Sequence, residues 1–273
     1  MNRDVWYANP EVKFLIVQQC KNREIGLLSK NNSEFNVRNI HAHYTNFLEK
    51  NFHAFHFYNR SYNVYYSLAQ YNKIQMFSFA PDIRKQQRVS WNAECINHTV
   101  AFDFGLDFDS EGLHDIDRAY NDCMLVKKDF DKYKIPYSVK FSGGKGFHIR
   151  VPFEALPKKL FSTDSDEPNS IFLFLKTVAE LMIVNYGIDG GMKTLDLAVF
   201  DHRRIWKCDY SWTCETGLIA LPLTDEQFNA FNLEMVKPLN VLKAGIRNRG
   251  DLQREGNNNG FKNYCSEILG IEI

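Results

Sequence analysis

The sequence predicts an α/β protein of the α+β kind, organised around a split βαβ unit. Three observations predict it. Between residues 99 and 200 the hydrophobic pattern runs strand, helix, strand, strand, helix, strand. One strand of that run carries aspartates on one side and apolar residues on the other. A downstream hairpin holds three glycines within a few residues.

The elements follow in order. Residues 1–95 mix an expected helix over Val37–Asn51 with aromatic strand-like runs at Tyr62–Leu68 and Met76–Ala80. Residues 99–109 read as a strand. A helix is expected over 113–133, where Ile116, Tyr120, Cys123, Phe130 and Tyr133 recur at helical spacing and Pro136 stops it. Strands are expected at Tyr137–Phe141 and Phe147–Val151, joined by the glycine loop. Ser162–Ser170 is polar and reads as a loop. Ile171–Tyr186 reads as an apolar helix ended by Gly187, and Thr194–Phe200 as a further strand. From Lys237 to Lys262 the chain is polar and basic. This ferredoxin-like order implies a fold and no function. The expected organisation is one unit over 1–273, with an N-terminal α/β lobe (1–95), a central lobe (96–235) and a tail (236–273).

Composition bounds the function. With 33 basic and 33 acidic residues the formal net charge is zero. Avid, sequence-independent nucleic-acid binders carry a basic excess, so any such grip must come from local patches. Arg84, Lys85 and Arg88, the pairs Lys127–Lys128 and Lys158–Lys159, and Arg247, Arg249 and Arg254 are the clusters available, with the tail the best placed for a template. Trp91, Trp206 and Trp212 could stack on bases, although core packing is the ordinary role of such rings. The six cysteines (20, 95, 123, 208, 214, 265) form no CxxC pair, and the N-terminus has no signal-like apolar segment. The expectation is a reduced, cytoplasmic protein with free thiols and no membrane span.

The strand Thr99–Asp109 reads TVAFDFGLDFD. Val100, Phe102, Phe104, Leu106 and Phe108 share one face; Asp103, Asp107 and Asp109 share the other. Asp is disfavoured in strands, and like charges on one face repel. A divalent cation, Mg²⁺ or Mn²⁺, would relieve that repulsion. The plainer reading is a solvated edge strand, but such strands mix in Lys and Thr. Ser142-Gly143-Gly144-Lys145-Gly146-Phe147-His148 follows. Its glycines let backbone approach a phosphate, Lys145 brings charge, and His148 and Arg150 share the face opposite Phe147 and Ile149. The spacing is not that of a P-loop.

Together these segments resemble the archaeo-eukaryotic primase superfamily. Gly105-Leu106-Asp107-Phe108-Asp109 matches its apolar strand with DxD, and Ser142 to His148 matches its SxxxGxH hairpin. A third motif is matched by Leu195-Asp196-Leu197-Ala198-Val199, then Arg203-Arg204, Lys207 and the Thr216-Gly217 turn. Ser211-Trp212-Thr213 departs from the Ser-x-His common before that turn. Asp201 is a rival third acid. Tyr65–Ala69 loosely resembles a family strand.

The resemblance implies a catalytic core with an RRM-like lobe that joins nucleotides on a template. It implies Asp107, Asp109 and Asp196 as catalytic ligands of two Mg²⁺ or Mn²⁺ ions. It implies Ser142, Gly143, Gly144, Lys145, Gly146 and His148 around the triphosphate, with Arg203, Arg204 and Lys207 adding charge. The implied partners are single-stranded DNA template and NTP or dNTP. A large subunit, a helicase, or another replication, repair or CRISPR protein would accompany it according to its role. Zinc is not expected, since His202, Cys208 and Cys214 lack ligand spacing. A two-metal nuclease or phosphatase, a non-catalytic nucleotide-binding subunit, and a single-strand-binding module are the competing readings.

Overall fold

The computed structural model describes residues 1, 3–29, 37–40, 62–71, 98–158, 170–187, 191–201, 204–247, 256 and 259–273. The expected strand at Met76–Ala80, the loop from 162 to 169, and Arg203, His202, Trp91 and Cys95 lie outside them. Two N-terminal helices, α1 (Arg3–Ala8) and α2 (Pro10–Gln19), open the chain. Asn9 caps α2 by accepting from the Glu11 and Val12 amides, with Pro10 at the first helical position. The first sheet has the order β2 (Val37–Ile40), β1 (Glu24–Ser29), β3 (Tyr62–Ser67), β9 (Ile205–Lys207), all antiparallel. The helix expected from Val37 is therefore corrected at its start. Residues 37–40 pair with β1, Val37 opposite Leu27, and long-range pairing overrides the local pattern. The third and fourth neighbours in this sheet come from opposite halves of the sequence.

The second sheet has the order β10 (Leu221–Leu223), β7 (Ser138–Phe141), β8 (Gly146–Val151), β6 (Phe104–Asp109). β8 runs antiparallel to both β6 and β7 and lies between them. The connection from β6 to β7 is helix α3 (Ile116–Lys132), entered through a 3-10 turn at Leu113–Asp115. This is a split βαβ arrangement. α3 packs on β6 and β8. Phe104, Leu106, Phe108, Phe147, Ile149 and Val151 are all fully buried there with Val126 and Phe130. Helix α4 (Ser170–Gly187) lies against α7 (Gly260–Leu269), which also touches α3. Two short helices, α5 (Asp225–Asn229) and α6 (Pro238–Ala244), follow β10. Thus α6 and α7 interrupt the tail read as merely polar.

Two expected strands change form. Residues 99–109 break at Asp103 into β5 (Thr99–Phe102) and β6, and β5 pairs with β4 (Ala69–Tyr71) in a separate ribbon. Asp103 is fully buried at that break. It meets Arg23 at 2.7 Å and Arg150 at 2.8 Å, and accepts from the Phe153 amide at 3.1 Å. The strand expected at Thr194–Phe200 is instead one bridge, Leu195 to Phe108, followed by a 3-10 turn at Leu197–Val199. Two side chains cause this. Asp122 takes the amides of Lys193 and Thr194, and Asp196 takes the amide of Ala198. Among the described residues no helix is long and apolar enough to cross a membrane. Cys20, Cys123, Cys208, Cys214 and Cys265 are buried free thiols.

Candidate active site

The site lies on the face of β6, β7 and β8 turned away from α3. Strand register sets Asp107 opposite His148, and His148 opposite Lys140. Period-2 alternation puts Asp109 on the same face as Asp107, opposite Gly146. The third acid arrives from the bridge beside β6. The Asp196 amide donates to the Asp107 carbonyl at 2.8 Å, and the Asp109 amide donates to the Thr194 carbonyl at 2.7 Å. The structure therefore gathers Asp107, Asp109 and Asp196 at one sheet edge. Asp201 is exposed, beyond the 3-10 turn, with its carbonyl accepting from the Arg204 amide.

The three carboxylates differ in surroundings. Asp107 is buried, with His148 Nε2 3.1 Å from its Oδ1, yet that oxygen makes no hydrogen bond of good geometry. Burial alone would push Asp107 up. The His148 imidazole, then Arg204 and Lys140, bring it below the usual carboxylate range. Asp109 is more open, with Lys145 Nζ 3.5 Å from Oδ2. Burial and the neighbouring charges of Asp107 and Asp196 outweigh Lys145 and push it up to about 6. Asp196 is turned toward its own turn, holding the Ala198 amide at 2.8 Å and Arg204 at 3.4 Å.

His148 lies tilted on the Trp206 ring, centroids 4.5 Å apart, and its buried Nδ1 has no partner. Burial, with repulsion from Lys140 and Lys207, pushes the imidazole down against the pull of Asp107. Trp206 is thus packed between the sheets and is not a platform for bases; Trp212 is likewise buried.

The hairpin is organised from within. Ser142 Oγ accepts from the amides of Gly144 at 3.2 Å and Gly146 at 3.3 Å. Those two amides, expected to face a phosphate, face Ser142 instead. Gly143 sits at φ +80°, and a Cβ there would strike Thr213. A Cβ on Gly146 would lie 1.8 Å from the Phe108 carbonyl. These two glycines let the hairpin lie flat on β6 and on the Thr216-Gly217 turn, whose Thr216 hydroxyl donates to the Gly143 carbonyl at 2.6 Å.

Lys207 ends β9 and donates to Thr213 Oγ1 at 3.1 Å. Burial and Lys140 bring its amine down to about 8. Thr213, which stands where the resembled family often has histidine, therefore contacts both Lys207 and the glycine hairpin. Sequence reasoning missed Thr213 and Lys140. Lys140 is buried beneath the site, 3.4 Å from Asp209 and bonded to the Lys207 carbonyl. A buried lysine in an alternating strand was the available signal.

Three acids whose charges repel, with a buried carboxylate oxygen lacking a hydrogen bond, suit a hard divalent cation. Lys145, Arg204 and Lys207 beside them suit an anionic polyphosphate. Among the described residues, however, no three His, Cys, Asp or Glu side chains converge as a ready-made cage. Asp196 is engaged with Ala198 and Arg204 rather than with the other two.

No protein-family model matches the chain, and no curated protein matches it. Comparison of structures does find a likeness. The polymerase domain of ligase D from Mycobacterium tuberculosis, solved in complex with DNA, aligns over 88% of this chain and 86% of its own, with a TM-score of 0.50 and 12% identity. The chain shares the fold of that polymerase domain.

Proposed function

We propose that this chain is a template-dependent nucleotidyltransferase of the archaeo-eukaryotic primase superfamily, a primase-polymerase that starts or extends primers from NTPs or dNTPs. One observation carries the reading: the acidic strand, the glycine hairpin with His148 and the Asp196 segment meet at one sheet edge. The likeness in fold to a polymerase domain supports it. Asp107, Asp109 and, once released from its turn, Asp196 would hold two Mg²⁺ or Mn²⁺ ions. Such ions supply positive charge for the attacking hydroxyl and the triphosphate.

The chain's own groups supply the rest. Lys145, Arg204 and Lys207, with Arg203 alongside in sequence, would bind the triphosphate. His148, tilted against the Trp206 ring, would offer its buried, partnerless Nδ1 for a hydrogen bond. Catalysis would be mainly positioning and electrostatics. The partners are single-stranded DNA template and the nucleotide.

The test is incubation with Mn²⁺ or Mg²⁺, nucleotides and single-stranded template, with and without primer. Template-dependent products with pyrophosphate release support the reading, and the unprimed reaction separates primase from polymerase. Release of orthophosphate or cleaved DNA without any extension would assign the same acids to a hydrolase.

A further inference from the structure

Asp122 lies on α3, outside every motif, and is 7% exposed. Its Oδ2 accepts three hydrogen bonds from one short segment: the Lys193 amide at 2.9 Å, the Thr194 amide at 2.9 Å and the Thr194 hydroxyl at 2.7 Å. That segment is also the one that reaches the site. The Thr194 carbonyl accepts from the Asp109 amide, Leu195 bridges Phe108, and the Asp196 amide donates to the Asp107 carbonyl. Residues 193–196 are thus clamped between a helix carboxylate on one side and the acidic strand on the other. A buried carboxylate with three donors on one oxygen is costly to strip of partners. Among the described residues, the hydrogen bonds its side chain accepts come from this segment.

We infer that Asp122 is a positioning residue that sets Asp196 beside Asp107 and Asp109. The inference rests on the polymerase reading for its consequence, though its geometry stands without it. Asp122 touches no reacting group; it acts through Thr194. By anchoring residues 193 and 194 it leaves Asp196 free to rotate between its turn and the shared site without the segment itself shifting.

The experiment compares the full chain with Asp122→Ala, Asp122→Asn and Thr194→Val. Mn²⁺ affinity is measured by calorimetry, amide exchange at Thr194 and Asp196 by magnetic resonance, and folding by thermal melting. Asp122→Ala should melt cooperatively, exchange faster at both amides, and bind Mn²⁺ roughly 10–100-fold more weakly, the range for losing a group that orients a ligand. Asp122→Asn keeps an accepting oxygen and should recover most of that loss. Unchanged exchange and unchanged Mn²⁺ affinity in folded Asp122→Ala would overturn the inference. If that variant does not fold, Thr194→Val, which removes only the hydroxyl bond, decides. A several-fold weaker Mn²⁺ affinity supports the inference, and an unchanged one overturns it. If the wild-type protein binds no Mn²⁺ and makes no product, the polymerase reading fails. The inference is then judged on exchange alone, faster at Asp196 in its favour and unchanged against it.

Discussion

Asp103 and Asp107 are four residues apart on one face of one acidic stretch, yet the fold treats them oppositely. Asp103 is fully buried and held by Arg23 and Arg150, with the Phe153 amide completing its shell. Those guanidiniums, with the Phe153 amide, outweigh burial and keep it below the usual carboxylate range. Asp107 and Asp109 lie side by side on β6, with Asp196 close by but turned to Ala198 and Arg204, and with His148, Lys140 and Lys145 about them. The first end of the stretch is neutralised by the protein itself. At the second end the repulsion is only partly relieved: burial, Asp107 and Asp196 hold Asp109 up despite Lys145, and a bound cation would relieve it. The same residue type thus fastens the fold at one end and, in the proposed function, would carry chemistry at the other.

The sharpest way to break this contrast is to neutralise each end. Asp107→Asn or Asp109→Asn should lower extension by roughly 10³-fold or more, with the melting temperature held or raised for Asp109→Asn and lowered for Asp107→Asn, whose charge His148, Arg204 and Lys140 stabilise, as read by primer extension and calorimetry. Asp103→Ala should act on the other quantity. It removes the buried carboxylate that Arg23 and Arg150 share and should destabilise by about 3–5 kcal/mol, measured by denaturant unfolding. Loss of activity without loss of stability at Asp103 would erase the distinction.

His148→Ala tests how the hairpin serves the acidic end. It removes a ring tilted against Trp206 and the partnerless Nδ1 that the proposed function gives to the nucleotide. The nucleotide KM should rise about 10–100-fold, as for a hydrogen bond to a charged group, in steady-state kinetics. An unchanged KM would take His148 out of the site.

Protonation separates the ends more gently. Asp109 has a folded-state value of about 6, above the roughly 3.9 of an unfolded chain. The folded state therefore binds the extra proton between those values. This term costs stability as pH rises through that window and is absent below it. Asp109→Asn should accordingly be more stable than wild type above pH 6, by on the order of 1 kcal/mol after allowance for its partial exposure. Melting across pH should show the difference close toward about pH 4. Wild-type extension should fall as pH drops below about 6.

The smallest effect belongs to the hairpin's outer glycine. A Cβ on Gly144 would meet only Ser142 Oγ, at 3.6 Å, whereas one on Gly146 would collide with the Phe108 carbonyl. Gly144→Ala should leave melting within about 0.5 kcal/mol, and Gly146→Ala should not.

The alternation of Asp107 and Asp109 with Leu106 and Phe108 was legible because a strand's period is a local property. So were α3, α4 and the hairpin, with their periodicity and glycines. The distinct fate of Asp103 was not, because Arg23 is 80 residues away and Arg150 is 47 away. Asp196 was legible as an acid, but its 3-10 turn was not. That turn depends on Asp122, 72 residues before Thr194, and on a side-chain cap that competes with strand pairing. The strand at Val37 was hidden for the same reason: β1 supplies its partner, not its own sequence. Lys140 could have been flagged as a charge in a buried strand, but its link to Lys207 is a contact across sheets.

The central claim is that the Asp107–Asp109 end is a cation site. A calorimetric titration of the full chain with Mn²⁺, beside the Asp107→Asn/Asp109→Asn double variant, tests it most directly. The account predicts saturable binding by the wild type and none by a double variant that still melts cooperatively. Equal Mn²⁺ binding by both folded proteins would contradict it.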